Sequence, residues 1–333
     1  MLFFESFWGH YLAQAVFYSL ITVIVFEGMS IIWQIHESLS QIKFRLLMLL
    51  LPMLCPPLYY LLYPPRTAFY FRNQIALFDL NKWLGLPLVG SIAVWHLFLA
   101  MLVTTAIVFL IKEVYPMLKY YVGRRHSLPL IEPGQFSELD AALMRLSQDK
   151  EITIPVVLLS PEDIPIAYIL SRKTLVISVA MLRLLDSDEL ESVLAHEIAH
   201  LSRQVVVINR VLLTLRFLMF YNPIAFLVFR RVINDIEKLC DDIAIRFSAK
   251  PLSLTSGLLK ILRHATSGSS TDSADRVRNW PRIEVLENVA CQNLVRERVE
   301  MIIHQDEMRN ISYRNFRVAV TGVMLSMLLF FVV

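Results

Sequence analysis

The sequence predicts an α-helical membrane protein with an α+β domain facing the cytosol. Three observations lead there. Apolar residues make up 56% of the chain and its mean hydropathy is +0.54, above the roughly 45–50% typical of soluble domains. Several apolar runs approach or exceed the ~20 residues that cross a bilayer as a helix. Between the third and the last of these runs, helical and strand periodicities both recur.

Taken in order, residues 11–33 (YLAQAVFYSLITVIVFEGMSIIW) form the first span. It has neither the basic start nor the small-residue cleavage site of a secretory leader, so it is expected to be retained. Residues 44–63 form the second span, bent by Pro52, Pro56 and Pro57. Such prolines are tolerated in membranes where neighbouring groups satisfy the freed carbonyls. Residues 64–87 read as a short outer loop, 88–111 as the third span, 112–317 as the cytosolic domain and 318–333 as a closing span of marginal length. Residues 1–111 thus hold three transmembrane helices. Lys43, Arg45, Lys112, Lys119, Arg124, Arg125, Arg309, Arg314 and Arg317 flank the spans on one side, which the positive-inside bias places in the cytosol. Arg66, Arg72 and Lys82 lie on the other side and oppose that assignment. Trp8, Trp33, Tyr59, Tyr60 and Trp83, near span ends, read as interfacial anchors. Glu27, inside the first span, is either a functional acid or one held by a bond to another span.

Within the domain, QFSELDAALMRLSQD has helical period. ITIPVVLLS and IPIAYILSRKTLVIS read as short β-branched strands. DSDELESVLAHEIAHL reads as a helix capped by Asp186 or Ser187, with acids in its first turn. Residues 205–230 are strongly apolar but carry Asn209, Arg210 and Arg216 and are broken at Asn222-Pro223. They are expected to form two membrane-associated helices rather than a clean span, because charges at mid-membrane depth are costly. Residues 264–279 are polar and read as an accessible loop.

A net charge of +3 implies no general nucleic-acid field. Cys55, Cys240 and Cys291 form no CxxC pair, as on a reducing face of the membrane.

The chemistry centres on LAHEIAHL, residues 194–201. Helical i and i+4 positions share a face, so His196 and His200 can offer imidazole nitrogens to one metal ion. Glu197 follows the first of them, placed to take a proton from a water that Zn2+ acidifies. This chain's own His and Glu frequencies give H-E-x-x-H a chance of roughly 1 in 100, so the motif is informative without being decisive. DIEKLCDDIAIRF offers Glu237 as third ligand and Asp241, one turn on, as acceptor for a ligand histidine's other nitrogen. Asp235 and Asp242 point elsewhere and read as solvated charges. Cys240 is either a buried core thiol or a neighbour of the site. Tyr221, His264 and several arginines are candidate oxyanion donors.

LESVLAHEIAHLSR followed by FYNPIAFLVFRRVINDIEKLCDDIAI resembles the membrane zinc metallopeptidases of the beta-lactam sensor-transducer (BlaR/MecR-like) type. The resemblance extends to FRNQIALFDLNKWLG before the third span and to NLVRERVEMIIH near the end. The heat-shock and prenyl-protein membrane proteases share the zinc helix, usually with Glu-x-x-x-Asp, and this sequence satisfies both spacings. The resemblance implies a gluzincin-like fold that cuts a protein or peptide substrate laid along a strand edge. Pro165, Ile166, Ala167, Tyr168, Ile169 and Leu170 resemble that substrate-binding strand. From the residues alone, an inner strand is equally open. The sensor-transducers continue into an extracellular antibiotic-binding domain, whereas this sequence stops at Val333. Antibiotic sensing is therefore not carried over, and a signal is expected through the outer loop, the spans or a separate partner membrane protein. The resemblance also suggests self-cleavage, for which 264–279 is the accessible stretch. The rival reading is a non-catalytic membrane sensor or scaffold that keeps the peptidase fold. The intact Glu197 weighs against it. The partners implied are a protein or peptide substrate and the lipid bilayer, with no nucleic acid.

Overall fold

A computed structural model describes residues 6–33, 35, 37–90, 92–123, 136–147, 154–171, 174–267, 298–299, 302 and 314–333. Among the described residues, three helices are long and apolar enough to cross a membrane: α1 (Phe7–Ile32), α2 (Ser38–Leu62), and the run Val94–Lys119, as in a membrane protein. That run is α4 (Val94–Phe109), continued through a π-turn at Leu110–Val114 into α5 (Tyr115–Gly123). Chain contacts divide the molecule into a membrane unit (Met1–Glu113, Arg210–Asp235, Asn310–Val333) and a second unit (Val114–Asn209, Ile236–Arg309).

In the membrane unit, Phe26 of α1 meets Phe44 of α2 edge-on at 5.2 Å. Thr22 Oγ1 donates to Met48 O at 3.3 Å. Residues 64–87 are ordered around the end of α12 (Arg314–Phe330). Leu77 N donates to Phe331 O at 2.8 Å and Val333 N to Phe78 O at 2.9 Å. Arg66 is buried, donating to the carbonyls of Phe330, Leu329 and Val332 and to the Tyr18 hydroxyl. Arg66 thereby satisfies helix-end carbonyls that have no partner within the helix.

The third membrane helix begins at Val94 rather than at Leu88. Short helix α3 (Leu80–Leu84) is followed by an antiparallel pair, β1 (Pro87–Val89) and β2 (Ile92–Ala93). Gly90 turns this pair at φ +57°, a conformation that costs glycine least. Tyr59 is buried with its hydroxyl 2.8 Å from Ser326 Oγ, and so is no interfacial anchor. Trp8, Tyr60 and Trp83 are exposed. Glu27 has a partner, Arg231. Asp235 is buried and paired with Arg45 of α2, which corrects its reading as a solvated charge.

The second unit contains α6 (Ser137–Leu146), β3 (Val156–Ser160), β4 (Ala167–Ser171), β5 (Thr174–Ser178), α7 (Val179–Leu184), α8 (Ser187–Ala199) and α11 (Pro251–Ser267). α9 (Arg203–Leu218) and α10 (Pro223–Ser248) each lie partly in both units. The sheet order is β3-β5-β4, with β3 parallel and β4 antiparallel to β5. Among the described residues β4 is therefore an edge strand. The core of this unit joins Leu139 and Leu146 of α6, Val157 and Leu159 of β3, Leu175 and Ile177 of β5, and Leu190, Val193 and Leu194 of α8. At Gly257 of α11 an added Cβ would lie 3.0 Å from Val193 Cγ2, so glycine allows α11 to press against α8.

Candidate metal centre

α8 starts where its sequence says a helix should. Asp186 Oδ1 accepts from the amides of Asp188 and Glu189, and Glu189 Oε2 accepts from Asp186 N, forming a reciprocal cap. The buried acids of α8 fasten it to its neighbours. Glu189 accepts from Ser256 Oγ and Lys260 Nζ, each at 2.6 Å. Glu191 accepts from Arg145 at 2.9 Å and Lys250 at 2.8 Å. This bracing fixes the helix that carries the histidines.

His196 sits in the last turn of α8 and His200 caps its end. Their rings lie 5.0 Å apart at 84°. Both Nε2 atoms face the Glu237 carboxylate of α10, His196 at 3.4 Å and His200 at 3.6 Å. Ligand atoms of the three residues lie within 4.8 Å of one another. In a tetrahedral zinc site with bonds of about 2.0–2.1 Å, ligand atoms stand about 3.4 Å apart. The observed separations fit a zinc-sized dication. Glu197 is buried on the same helix, and its charge helps to hold the Cys240 thiol protonated.

Behind the donors lies a second set of contacts. Asp241 Oδ1 stands 2.9 Å from His196 Nδ1. The contact sets a carboxylate against the ring nitrogen turned away from Glu237. Cys240 Sγ lies 3.4 Å from His200 Nδ1, on the side of the ring away from Glu237. Arg298 grips Asp241 with Nε at 2.6 Å and Nη2 at 2.7 Å, and its Nη1 lies 3.5 Å from Glu237.

The electrostatics follow from this packing. Burial alone would lower the pKa of His196, but Asp241 and Glu237 outweigh it and raise the ring to about 9. Burial pushes Glu237 upward, yet the His200 charge, the His196 bond and Arg298 hold it well below the usual carboxylate range. Asp241 is likewise held low against its burial by Arg298 and His196. Burial, then the Glu237 and Asp241 charges, raise the Cys240 thiol well above its ordinary value. Arg298 and the His196 proton offset the Glu237 and Asp241 charges, and that proton has to leave before His196 can bind a metal ion.

Among the other expected residues, Ala167, Tyr168, Ile169 and Leu170 lie in β4, and Pro165 and Ile166 lead into it. Tyr221 is buried in the core of the membrane unit with Ala13, Val16 and Leu80, and His264 is exposed on α11. Of residues 264–279, those from 268 onward lie outside the described residues. Sequence reasoning missed Arg298. Its signal was an arginine set among Val295, Val299 and Ile302 at helical spacing, where burial demands an acidic partner.

Two histidines and a glutamate that could hold one metal ion therefore sit together in a helical membrane protein. A family model described as BlaR1 peptidase M56 matches residues 86–266, more than half of the chain, and the chain belongs to that family. Arg298 lies beyond the matched region. Among individual relatives, the protease HtpX homolog of Desulfatibacillum aliphaticivorans is 30% identical over 89 residues, covering 26% of this chain and 29% of that protein. The HtpX homolog of Gemmatimonas aurantiaca is 25% identical over 174 residues, covering 42% and 62%. The methicillin resistance mecR1 protein of Staphylococcus aureus is 23% identical over 155 residues, covering 44% and 23%. The chain thus spans less than two thirds of each of these three relatives.

Proposed function

We propose that the chain is a zinc-dependent endopeptidase of gluzincin type that cuts a protein or peptide at the cytosolic face of the membrane. The observation that carries this reading is the convergence of His196, His200 and Glu237, both ring Nε2 atoms 3.4–3.6 Å from the carboxylate and all ligand atoms within 4.8 Å, beside a buried Glu197. A zinc ion held by those three side chains supplies Lewis acidity for peptide hydrolysis. The Glu197 carboxylate takes a proton from the attacking water and delivers it to the departing amine nitrogen, so that water oxygen joins the carbonyl carbon as the C–N bond breaks. Asp241, itself held by Arg298, orients His196. Cys240, kept as a neutral thiol, faces the outer nitrogen of His200.

β4 supports an extended substrate. Ile166 is tied inward to Ser178, its carbonyl accepting from Ser178 N at 2.9 Å and its amide donating to Ser178 Oγ at 3.0 Å. Bonded residues alternate along an antiparallel ladder, so Ala167 and Ile169 turn their backbone groups to the open edge, where a peptide strand can pair. The cytosolic assignment rests on the count of Lys and Arg flanking the spans. Arg66 is held by helix-end carbonyls and Arg72 by Asp79 at 2.6 Å, so both have a structural role on that side, while the larger number of Lys and Arg on the other side carries the assignment.

The test is cleavage of an unfolded model protein by the purified full chain in lipid vesicles, measured before and after chelation and after zinc is restored. Loss and recovery of cleavage support the reading. Turnover indifferent to chelation, or zinc-loaded protein without turnover, overturns it, the latter in favour of a scaffold.

A further inference from the structure

Residues 211–229 carry one charged side chain, Arg216. That residue is buried, paired with Glu113 of the π-turn after α4, and lies 5.3 Å from the Phe226 ring and 5.7 Å from Phe229. The side chains turned outward over this stretch include Leu213, Phe217, Leu218, Phe220 and Leu227, each more than 40% exposed. Charge returns at the same level on both arms, with exposed Arg210 on α9 and exposed Arg230 on α10. An apolar tip above a charged base is the profile of a segment standing in lipid.

The tip has a measurable depth. Asn222, fully buried, closes the break between α9 and α10. Its Oδ1 accepts from the amides of Ile224 and Ala225, and its Nδ2 donates to Ser19 Oγ at 2.8 Å. Ser19 is the midpoint of α1, a 26-residue membrane helix. From that contact, Glu27 lies eight residues along α1 and its partner Arg231 nine residues along α10, each about 12–13 Å of helix. The two helices therefore keep step from the middle of α1 towards its end. From Arg210 to its end at Leu218 the first arm holds about 12 Å of helix, which with the turn beyond it reaches about the middle of a ~30 Å hydrocarbon layer and is too short to cross it. The side-chain groups of Asn222 are satisfied within the protein, as an irregular turn at that depth requires, whereas buried Tyr221 Oη and Arg216 Nε find no hydrogen-bond partner among the described residues.

We infer that residues 211–229 form a re-entrant helical hairpin that enters the hydrocarbon layer to about mid-depth and leaves by the same face. The occupant of its outer surface is lipid acyl chain, continuous with the exposed apolar residues Leu20 and Ile24 of α1 and Leu97, Val103 and Ile107 of α4. The hairpin is a membrane anchor for α10, the helix on which Glu237 and Asp241 follow Asp235. This assignment stands whether or not the metal centre turns over peptide.

The experiment uses the full chain in sealed lipid vesicles, in a Cys291→Ser background, with Cys55 and Cys240 buried. Single replacements Arg203→Cys, Leu218→Cys, Phe220→Cys, Leu227→Cys and Arg230→Cys are challenged with a membrane-impermeant maleimide from each side. Positions 203 and 230 should react from one common side. Positions 218, 220 and 227 should react at least tenfold more slowly until detergent is added. Rapid reaction of 218–227 from that common side would place the hairpin in water, and reaction from the opposite side would make it a crossing span. Either overturns the inference, as does lack of reaction in detergent. Phe220→Trp supplies an independent readout. Its fluorescence should be quenched most by lipids brominated near the end of the acyl chain, and maximal quenching by headgroup-proximal bromines would overturn the mid-depth placement.

Discussion

Replacing Arg298 by methionine removes a charge while nearly keeping the volume. Asp241 has no exposed surface, the Arg298 side chain is 11% exposed, and two bonds of 2.6 and 2.7 Å join them. Hydrogen bonds to charged groups contribute about 1.5–3 kcal/mol each, which sums to roughly 3–6 kcal/mol for the pair. Stranding one partner of a buried ion pair costs about 3–5 kcal/mol, and the two routes agree. For a domain of this size each kcal/mol moves the melting point by about 2–4 °C. Arg298→Met should therefore lower the Tm of the chelated protein by roughly 6–20 °C. Loss of support behind a histidine ligand typically weakens metal binding by about 10–100-fold, so zinc affinity should fall by that factor in a chelator competition. Arg298→Lys should recover only part of either effect, because an ammonium cannot reproduce the two-pronged grip. A Tm within about 3 °C of wild type, together with unchanged zinc affinity, would refute the reasoning.

Three further outcomes follow from the same contacts. Chelating bound metal should destabilise the second unit, since a ligand at 100 times its Kd contributes about 2.7 kcal/mol; thermal unfolding with and without zinc checks this, and His200→Ala should abolish the difference. Glu189 is pushed up by burial but held below the usual carboxylate range by Lys260, Ser256 and the Asp186 amide. Its contribution is thus present above the ordinary glutamate pKa and lost as pH falls through the depressed one; Glu189→Gln should be less stable than wild type at pH 7 and approach it in acid, as denaturant titrations at several pH values would show. Gly257→Leu should separate α11 from α8, where even a Cβ meets Val193 at 3.0 Å, and cost about 1–3 kcal/mol in the same titrations.

The cluster was legible in the sequence wherever its logic is local. His196 and His200, and Glu237 and Asp241, are i,i+4 pairs on two helices, and helical spacing alone puts each pair on one face. The cap at Asp186 is equally local. What the sequence hid depends on tertiary partners. Arg298 meets Asp241 from 57 residues further along the chain. Asp235 looked solvated because a helical wheel does not show that Arg45 of α2 covers that face. Hydropathy merged the hairpin at 87–93 with the helix after it, although Pro87 and Gly90 marked the boundary. The edge position of β4 depended on strand order, which residues 165–170 do not encode.

The most direct test compares new protein N-termini, by mass spectrometry, in cells carrying the wild type and Glu197→Gln, alongside the zinc content of both purified proteins. The account predicts equal zinc and a set of termini that disappears with the Glu197 carboxylate. Equal zinc with identical termini under every condition tried would contradict the claim that this centre is a peptidase.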